Sequence, residues 1–509
     1  MIFVKIKKFF CRRAVIIALI VLAELMLLCA VLTFCSHRLP AVGILLRLVS
    51  ILAAVYLISL SHNPAYKVAW LMLMLLLPEI GGVVYIIGGN KRLPIKLKKQ
   101  LREFYNLRLK DLSVDSGTQL DIATQHANYY PISVYLKKCT GFPAWQNTKC
   151  EFFVNGQLLF DRMCEEMAQA ERFIFMEYFI IADGALWDKI EAILSEKCKM
   201  GIKVKVMYDD LGCIDVLSPE RPKRLADAGA EVIAFNQCRP HLYSAMNYRD
   251  HRKICVVDGN VGFCGGANIA DEYINRLPSC GHWKDTGVML KGDGVWNLTL
   301  MFLNLWDFSC GTFSTLSAHL PDESCVTDGF VQPFGDSPLD ELCIAESVTM
   351  MGVSRARQYV YITTPYLILD CEMVKTLTTA ALSGVDVRIV TPSVPDKWYV
   401  HAVSRSFYRE LLTCGVRILE YSPGFIHSKQ MVCDDEFAMV GTANMDFRSF
   451  YLHFESAVCL YGGSAVSAVK RDFEQLFQCS REMCCEDTFK FPLHQRLAAA
   501  VLKPFASLF

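Results

Sequence analysis

One pattern, present twice, restricts the fold of this chain more than any other feature. His251 is followed by Lys253 and Asp258, then by Gly265, Gly266 and Asn268; His427 is followed at the same intervals by Lys429, Asp434, Gly441, Thr442 and Asn444. The flanking segments match in the same order. RFIFMEYFII (172–181) answers to YVYITTPYLI (359–368), GIKVKVMYDD (201–210) to GVDVRIVTPS (384–393), AGAEVIAF (228–235) to CGVRILEY (414–421), and HRKICVVD (251–258) to HSKQMVCD (427–434). Each copy alternates short apolar strand-like runs with helical stretches, the signature of an α/β unit. Preserved order implies duplication. The expected architecture is two similar α/β lobes, 112–330 and 331–509, packed as a pseudo-twofold pair with equivalent loops meeting at one interface.

The repeated residues form a coherent chemical set. In a strand, residues i and i+2 face the same way, so each His projects with its Lys into one site. The Gly pair, or Gly-Thr, lets backbone approach a ligand closely, and the Asn that follows offers amide N–H groups to an anionic oxygen. Two imidazoles, two ammonium groups and two amides in one place suit a phosphodiester. One neutral His attacks phosphorus, and the other, protonated, donates to the leaving alkoxide and then deprotonates the incoming alcohol. Lys253, Lys429, Asn268 and Asn444 stabilise the non-bridging oxygens. The lysines supply the positive charge, so this chemistry calls for no metal and no cofactor. Asp285 and Glu455, downstream of the two motifs, are candidates to hold an imidazole Nδ1–H and fix its tautomer. Asp258 and Asp434 are expected to hold the motif loops through backbone N–H groups rather than to transfer protons.

The N-terminal end has a different character. Apolar runs cover 14–36, 41–60 and 68–88. Each is long enough to span a bilayer. The first carries Glu24 and the second Arg47, while Pro78, Glu79, Gly81 and Gly82 break the third. Residues 1–90 therefore read as a transmembrane region and 91–111 as a basic linker. Lys5, Lys7, Lys8, Arg12 and Arg13 precede the first run; Lys91, Arg92, Lys96, Lys98, Lys99 and Arg102 follow the third. Both clusters favour the cytosolic side. That demands an even number of crossings from three candidates, so one run is interfacial or re-entrant. Trp70 is expected at a headgroup interface. Net charge is zero, and there is no basic, aromatic-interleaved face of the kind that binds nucleic acid. The 22 cysteines include no C-x2-C pair and read as reduced thiols.

At its two motifs the sequence resembles the phospholipase D superfamily, most closely the bacterial cardiolipin synthases. The likeness covers nearly the whole chain. NPAYKVAWLMLMLLLPEIGGVVYIIGG (63–89) is similar to the membrane segment of those enzymes, and LHQRLAAAVLKPFASLF (493–509) to their basic-amphipathic tail. The resemblance implies a multi-pass protein of the cell membrane with cytosolic catalytic lobes. It also implies a reaction in which two phosphatidylglycerols give cardiolipin and glycerol through a phosphatidyl-enzyme intermediate. His251 would be the nucleophile and His427 the general acid/base, an assignment that pseudo-symmetry makes reversible. A hydrolytic phospholipase D, or a transferase with another acceptor such as serine, would share every one of these residues. The acceptor alcohol and the oligomeric state stay open at this level.

Overall fold

The computed structural model of the chain describes residues 13–89, 116–239, 247–277, 279–338 and 342–508. Lys5, Lys7, Lys8, Arg12 and the basic linker 91–111 lie outside the described residues. The first apolar run forms helix α1 (Arg13–Arg38), with no buried residue, and the second forms α2 (Pro40–Ser59). Both are long and apolar enough to cross a membrane. The third run does not form one helix. It gives α3 (Pro64–Leu76), a turn, then the short helical pieces Gly81–Val84 and Tyr85–Gly89. At 1.5 Å per residue α3 is about 20 Å long, short of the roughly 30 Å hydrocarbon core. Pro78 and the glycines explain the break.

The charges inside these runs answer one another. Arg47 Nε and Nη2 donate to Glu79 Oε1 at 2.9 and 2.7 Å. A Cβ on Gly82 would strike the backbone of Ser50, whose Oγ accepts from Gly82 N at 3.0 Å, so α2 and the broken segment pack at small-residue distance. Trp70 is not at an exposed interface: it is buried, edge-on to Tyr66 and Tyr85. Both ends of the helical hairpin touch the lobes. Arg13 makes a two-pronged contact with Asp210, and Asn63 Nδ2 donates to Asp370 Oδ2 and Tyr451 Oη, each at 2.8 Å.

The first lobe holds strands Thr148–Phe153 (β1), Phe173–Tyr178 (β2), Lys203–Asp209 (β3), Glu231–Phe235 (β4), Arg249–Asp250 (β5), Lys253–Val257 (β6), Val261–Gly265 (β7), His282–Lys284 (β8) and Gly287–Gly292 (β9). The second holds Phe330–Asp336 (β10), Tyr359–Thr363 (β11), Asp386–Pro392 (β12), Arg417–Tyr421 (β13), Gly424–Ile426 (β14), Gln430–Cys433 (β15), Phe437–Gly441 (β16), His453–Tyr461 (β17) and Ser480–Glu482 (β18). The first sheet runs β1-β9-β7-β6-β2-β3-β4, and the second β10-β17-β16-β15-β11-β12-β13-β18. The orders correspond strand for strand, with β18 an addition. In each, three parallel strands joined through helices (β2-β3-β4, β11-β12-β13) continue into antiparallel ones. One equivalence is offset from the end-to-end string match. Phe173, not Arg172, corresponds to Tyr359, because Phe173 pairs with Lys203 as Tyr359 pairs with Asp386.

A helix between the sheets ties the lobes together. Helix α4 (Val295–Cys310) is buried from Val295 to Asp307 and packs on β2, β6 and β7 of one lobe and on β10 of the other. Phe302 stacks on Phe175 at 4.7 Å in one core cluster that continues to Val360 and Ile389. Burying a phenylalanine here contributes about 1.5–3 kcal/mol. The helix Tyr130–Thr140 packs on the second lobe and Ser116–Gln125 packs on that helix; between them Tyr129 stacks on Phe437 and its hydroxyl donates to Asp434 at 2.9 Å.

Candidate active site

The two lobes exchange short strands, and that exchange builds the site. β5, just before His251, pairs in parallel with the start of β17; β14, just before His427, pairs in parallel with β8. His251 N donates to Phe454 O at 2.9 Å and His427 N to Lys284 O at 2.7 Å. Each histidine is thereby placed against the carboxylate of the opposite lobe. His251 Nδ1 lies 2.9 Å from both oxygens of Glu455, and His427 Nδ1 lies 2.6 Å from Asp285 Oδ2. A carboxylate only accepts, so each Nδ1 carries the proton and each Nε2 presents its lone pair. Sequence spacing put Asp285 beside the first motif and Glu455 beside the second; the hydrogen bonds run crosswise.

Each lysine lies two residues after its histidine, Lys253 as the first residue of β6 and Lys429 just before β15, while the histidines sit in the links that lead from β5 and β14 rather than on a strand. Lys253 Nζ donates to His251 O at 2.6 Å, and Lys429 Nζ donates to His427 O while lying 2.8 Å from His427 Nδ1. Asp258 accepts from the backbone N–H of Glu171, Arg172 and Phe173; Asp434 does the same for Arg357, Gln358 and Tyr359. Both have positive φ, 55° and 54°, which Asp tolerates in such turns. They anchor the ends of β6 and β15 and, among the described residues, make no hydrogen bond to either histidine. Asn268 is held on both sides: Oδ1 accepts from Ile180 N at 3.1 Å and Nδ2 donates to Tyr273 Oη at 2.7 Å. Asn444 is buried, and its Oδ1 has no partner among the described residues.

The departure from symmetry at Gly266 and Thr442 has a geometric cause. A Cβ on Gly266 would collide with the Asp285 carboxylate, whereas the Thr442 hydroxyl donates to Glu455 Oε2. The shorter acid needs the space, and the longer one takes the extra donor. Gly266→Ala is expected to push Asp285 off His427 and to destabilise the fold by about 1–3 kcal/mol, as overpacking does. Denaturant unfolding and turnover measured on one preparation check both effects. Beneath the site the lobes differ again. Arg252 Nη1 lies 3.6 Å from Glu177 in the first, where Ser428 and Thr363 share a neutral hydrogen bond in the second.

Burial sets the protonation states. It pushes both imidazoles well below their usual range; Lys429 and Lys253 depress His427 further, and Glu455 works the other way on His251. It lowers Lys253 to about 8 and Lys429 to about 7, with the carboxylates pulling back, and raises Asp285 to about 7 against the pull of Lys429. Burial also opposes ionisation of Glu455, but His251 and His453 outweigh it and hold that carboxyl well below the usual range. At rest the His251 pair therefore contains an ionised acid, and the His427 pair contains one poised near neutrality. For His427 to act as a general acid its pair with Asp285 must hold a proton while both lysines stay charged, so we expect kcat/KM to fall as pH rises through about 7 to about 8. In Asp285→Asn the proton can rest only on His427, which burial and Lys429 depress, so the fall should begin at lower pH.

Several neighbours were not singled out from the sequence. His453 lies two residues before Glu455 on β17, with its ring 5.2 Å from that of His251 and Nδ1 3.5 Å from Glu455 Oε1. Trp283 holds the equivalent place before Asp285, 5.5 Å from His427. Phe179 packs edge-on to His251 at 5.0 Å, and Tyr273 edge-on to His427 at 5.3 Å. Strand parity alone would have found His453 and Trp283. Among the described residues, His251, His453 and Glu455 bring potential ligand atoms within 4.8 Å of one another. A cation there would have to displace the His251–Glu455 hydrogen bond.

Comparison with known proteins agrees with this arrangement. Residues 163–277 and 352–477 each match the cardiolipin synthase PLD-like domain, once per lobe, and residues 48–90 match the phospholipase D–nuclease N-terminal region. The chain is 32% identical to a cardiolipin synthase of Geobacillus kaustophilus over 463 residues, covering 90% of this chain and 92% of that one. It is 33% identical to cardiolipin synthase 2 of Bacillus cereus over 454 residues, 88% of each, and 38% identical to an uncharacterized protein of Streptococcus mutans over 461 residues, 90% of this chain and 99% of that one. The crystal structure of phosphatidylserine synthase from Haemophilus influenzae superposes with a TM-score of 0.56 at 15% identity, over 75% of this chain and 98% of that one, a likeness of fold. Two phospholipase-D-like lobes sharing one site define a phosphatidyltransferase of the phospholipase D type. The chain belongs to the cardiolipin synthase family of these membrane-associated enzymes.

Proposed function

We propose that the protein joins two phosphatidylglycerol molecules into cardiolipin, releasing glycerol, by way of a phosphatidyl-histidine. The observation that carries this reading is the crossed pair of His–carboxylate hydrogen bonds, with both lysines, buried between the lobes. His251 Nε2 attacks phosphorus, helped by the ionised Glu455 at Nδ1. The P–O bond to the headgroup breaks, and protonated His427 gives its proton to the departing glycerol oxygen. His427, neutral again, takes the proton from the terminal hydroxyl of a second phosphatidylglycerol. That oxygen attacks phosphorus and releases His251. Lys253 and Lys429 face charge on the non-bridging oxygens, and the side-chain N–H of Asn444 would add a further contact. Asp285 and Glu455 act by orienting the imidazoles; Asp258 and Asp434 act on the motif loops.

The asymmetry favours His251 as nucleophile. An ionised Glu455 raises the basicity of its partner, while Asp285, near neutrality, suits a histidine that cycles its proton. Burial of the reacting groups favours a lipid alcohol over water. Two apolar helices of spanning length, α1 and α2, support a multi-pass arrangement with cytosolic lobes. The contacts of Arg13 and Asn63 then put both ends of the hairpin on the side of the lobes, where basic flanks prefer to be.

The test is incubation of the purified, detergent-solubilised protein with phosphatidylglycerol alone, in EDTA. Cardiolipin and glycerol in equal amounts are the expected products. Phosphatidic acid without cardiolipin would make water the acceptor; turnover only on adding serine would make serine the acceptor.

A further inference from the structure

A second cationic cavity lies away from the histidines. It has a volume of about 250 Å³ and opens between helix α5 (Trp398–Arg405), the residues following it, and the C-terminal helix, here α7 (Leu493–Leu502), with Phe447–Tyr451 as α6 between them in sequence. Arg405 in its wall is committed to Glu420 by two hydrogen bonds of 2.8 and 2.9 Å. Arg409, Arg496 and Lys503 also line it, and among the described residues none of the three has an ion pair within 4 Å. Their side chains lean on aromatic faces instead: Arg409 stands over Phe489 at 4.8 Å and Lys503 over Phe407 at 3.9 Å. Gln495, on the same wall, has a buried Oε1 with no partner among the described residues.

The surroundings of this cavity identify its occupant. α7 turns Leu493, Leu497 and Val501 outward, one above another on a single face, at 68%, 59% and 66% exposure. The turn that follows, Lys503–Leu508, packs against α3 and α6, so the helix joins the membrane segment directly. An apolar helical face continuous with membrane helices, backed by unpaired cations in a hollow, fits a bilayer surface rather than bulk water. A phosphate with a glycerol backbone is the ligand that satisfies guanidinium groups and an ammonium while its acyl chains leave along the apolar face of α7.

We propose that this cavity binds the headgroup of an acidic phospholipid taken from the bilayer, as a site distinct from the histidine centre and independent of which alcohol that centre accepts. An occupied cavity clamps α7 to α5.

The test is hydrogen exchange of residues 493–508 in the full-length protein, held in phosphatidylcholine nanodiscs with a graded fraction of phosphatidic acid. Exchange in this segment is expected to slow as phosphatidic acid rises, and not with inorganic phosphate at the same molar level. Arg409→Gln/Arg496→Gln should raise the phosphatidic acid needed by about fivefold per cation removed. Arg409→Lys/Arg496→Lys, which keeps the charge, should retain most of the protection and so separates loss of the site from loss of fold. Equal protection in phosphatidylcholine alone, equal protection by inorganic phosphate, or a Gln variant that titrates like the wild type would each overturn the proposal.

Discussion

Replacing His251 by Ala is expected to reduce transfer by about 10⁴-fold or more, the loss typical of removing a nucleophile from an interdependent set. His427→Ala should be equally impaired with phosphatidylglycerol, but for a different reason: the glycerol alkoxide then leaves unprotonated. The two variants separate on a phosphatidyl ester of p-nitrophenol, whose leaving group needs no proton. His427→Ala should release one equivalent of nitrophenol in a burst and then stall, because nothing deprotonates the incoming alcohol. His251→Ala should show no burst. Bursts in the opposite variants would exchange the two roles.

The second large effect concerns the crossed carboxylates. Glu455→Gln leaves the shape intact but removes the anion that holds Nδ1–H on His251, and an amide N–H in its place imposes the wrong tautomer. A loss of about 10³–10⁴ in kcat is expected, by analogy with the orienting acid of a serine protease triad. Because Glu455 serves the histidine of the other lobe, the defect must fall on formation of the covalent intermediate, read as the burst rate with the nitrophenyl ester. A defect confined to the second, alcohol-dependent step would mean that Glu455 serves His427. Asp285→Asn gives the mirror result, sparing the burst and slowing the later step. Thr442→Ala, which removes one donor to Glu455, should be far milder, near tenfold, consistent with one lost hydrogen bond of about 1–1.5 kcal/mol.

Much of this site could be read from residue order. His251, Lys253, His427 and Lys429 repeat at equal intervals, but strand parity is not what pairs them, since both histidines and Lys429 lie in the links before β6 and β15. Asp258 and Asp434 each accept from three backbone N–H groups, and Asp434 also accepts from the Tyr129 hydroxyl. The crossing of Asp285 and Glu455 was not legible. It depends on β5, β8 and β14, strands of two or three residues that pair between lobes and are too short to carry any periodicity. The one-residue offset between Phe173 and Tyr359 was hidden for a related reason: two runs rich in aromatic and β-branched residues align almost equally well at either register. At the N-terminus hydropathy found three apolar runs but could not tell a spanning helix from a broken one. Pro78 and the glycines supplied the signal, and the Arg47–Glu79 ion pair shows why charges are tolerated there.

The measurement that bears most directly on the account is peptide mass mapping of the His427→Ala protein, quenched after reaction with the nitrophenyl ester. A phosphatidyl adduct on the peptide carrying His251, and absent when Glu455 is also changed to Gln, is the predicted result. An adduct on any other residue, or a full burst of nitrophenol with no adduct at all, would contradict it.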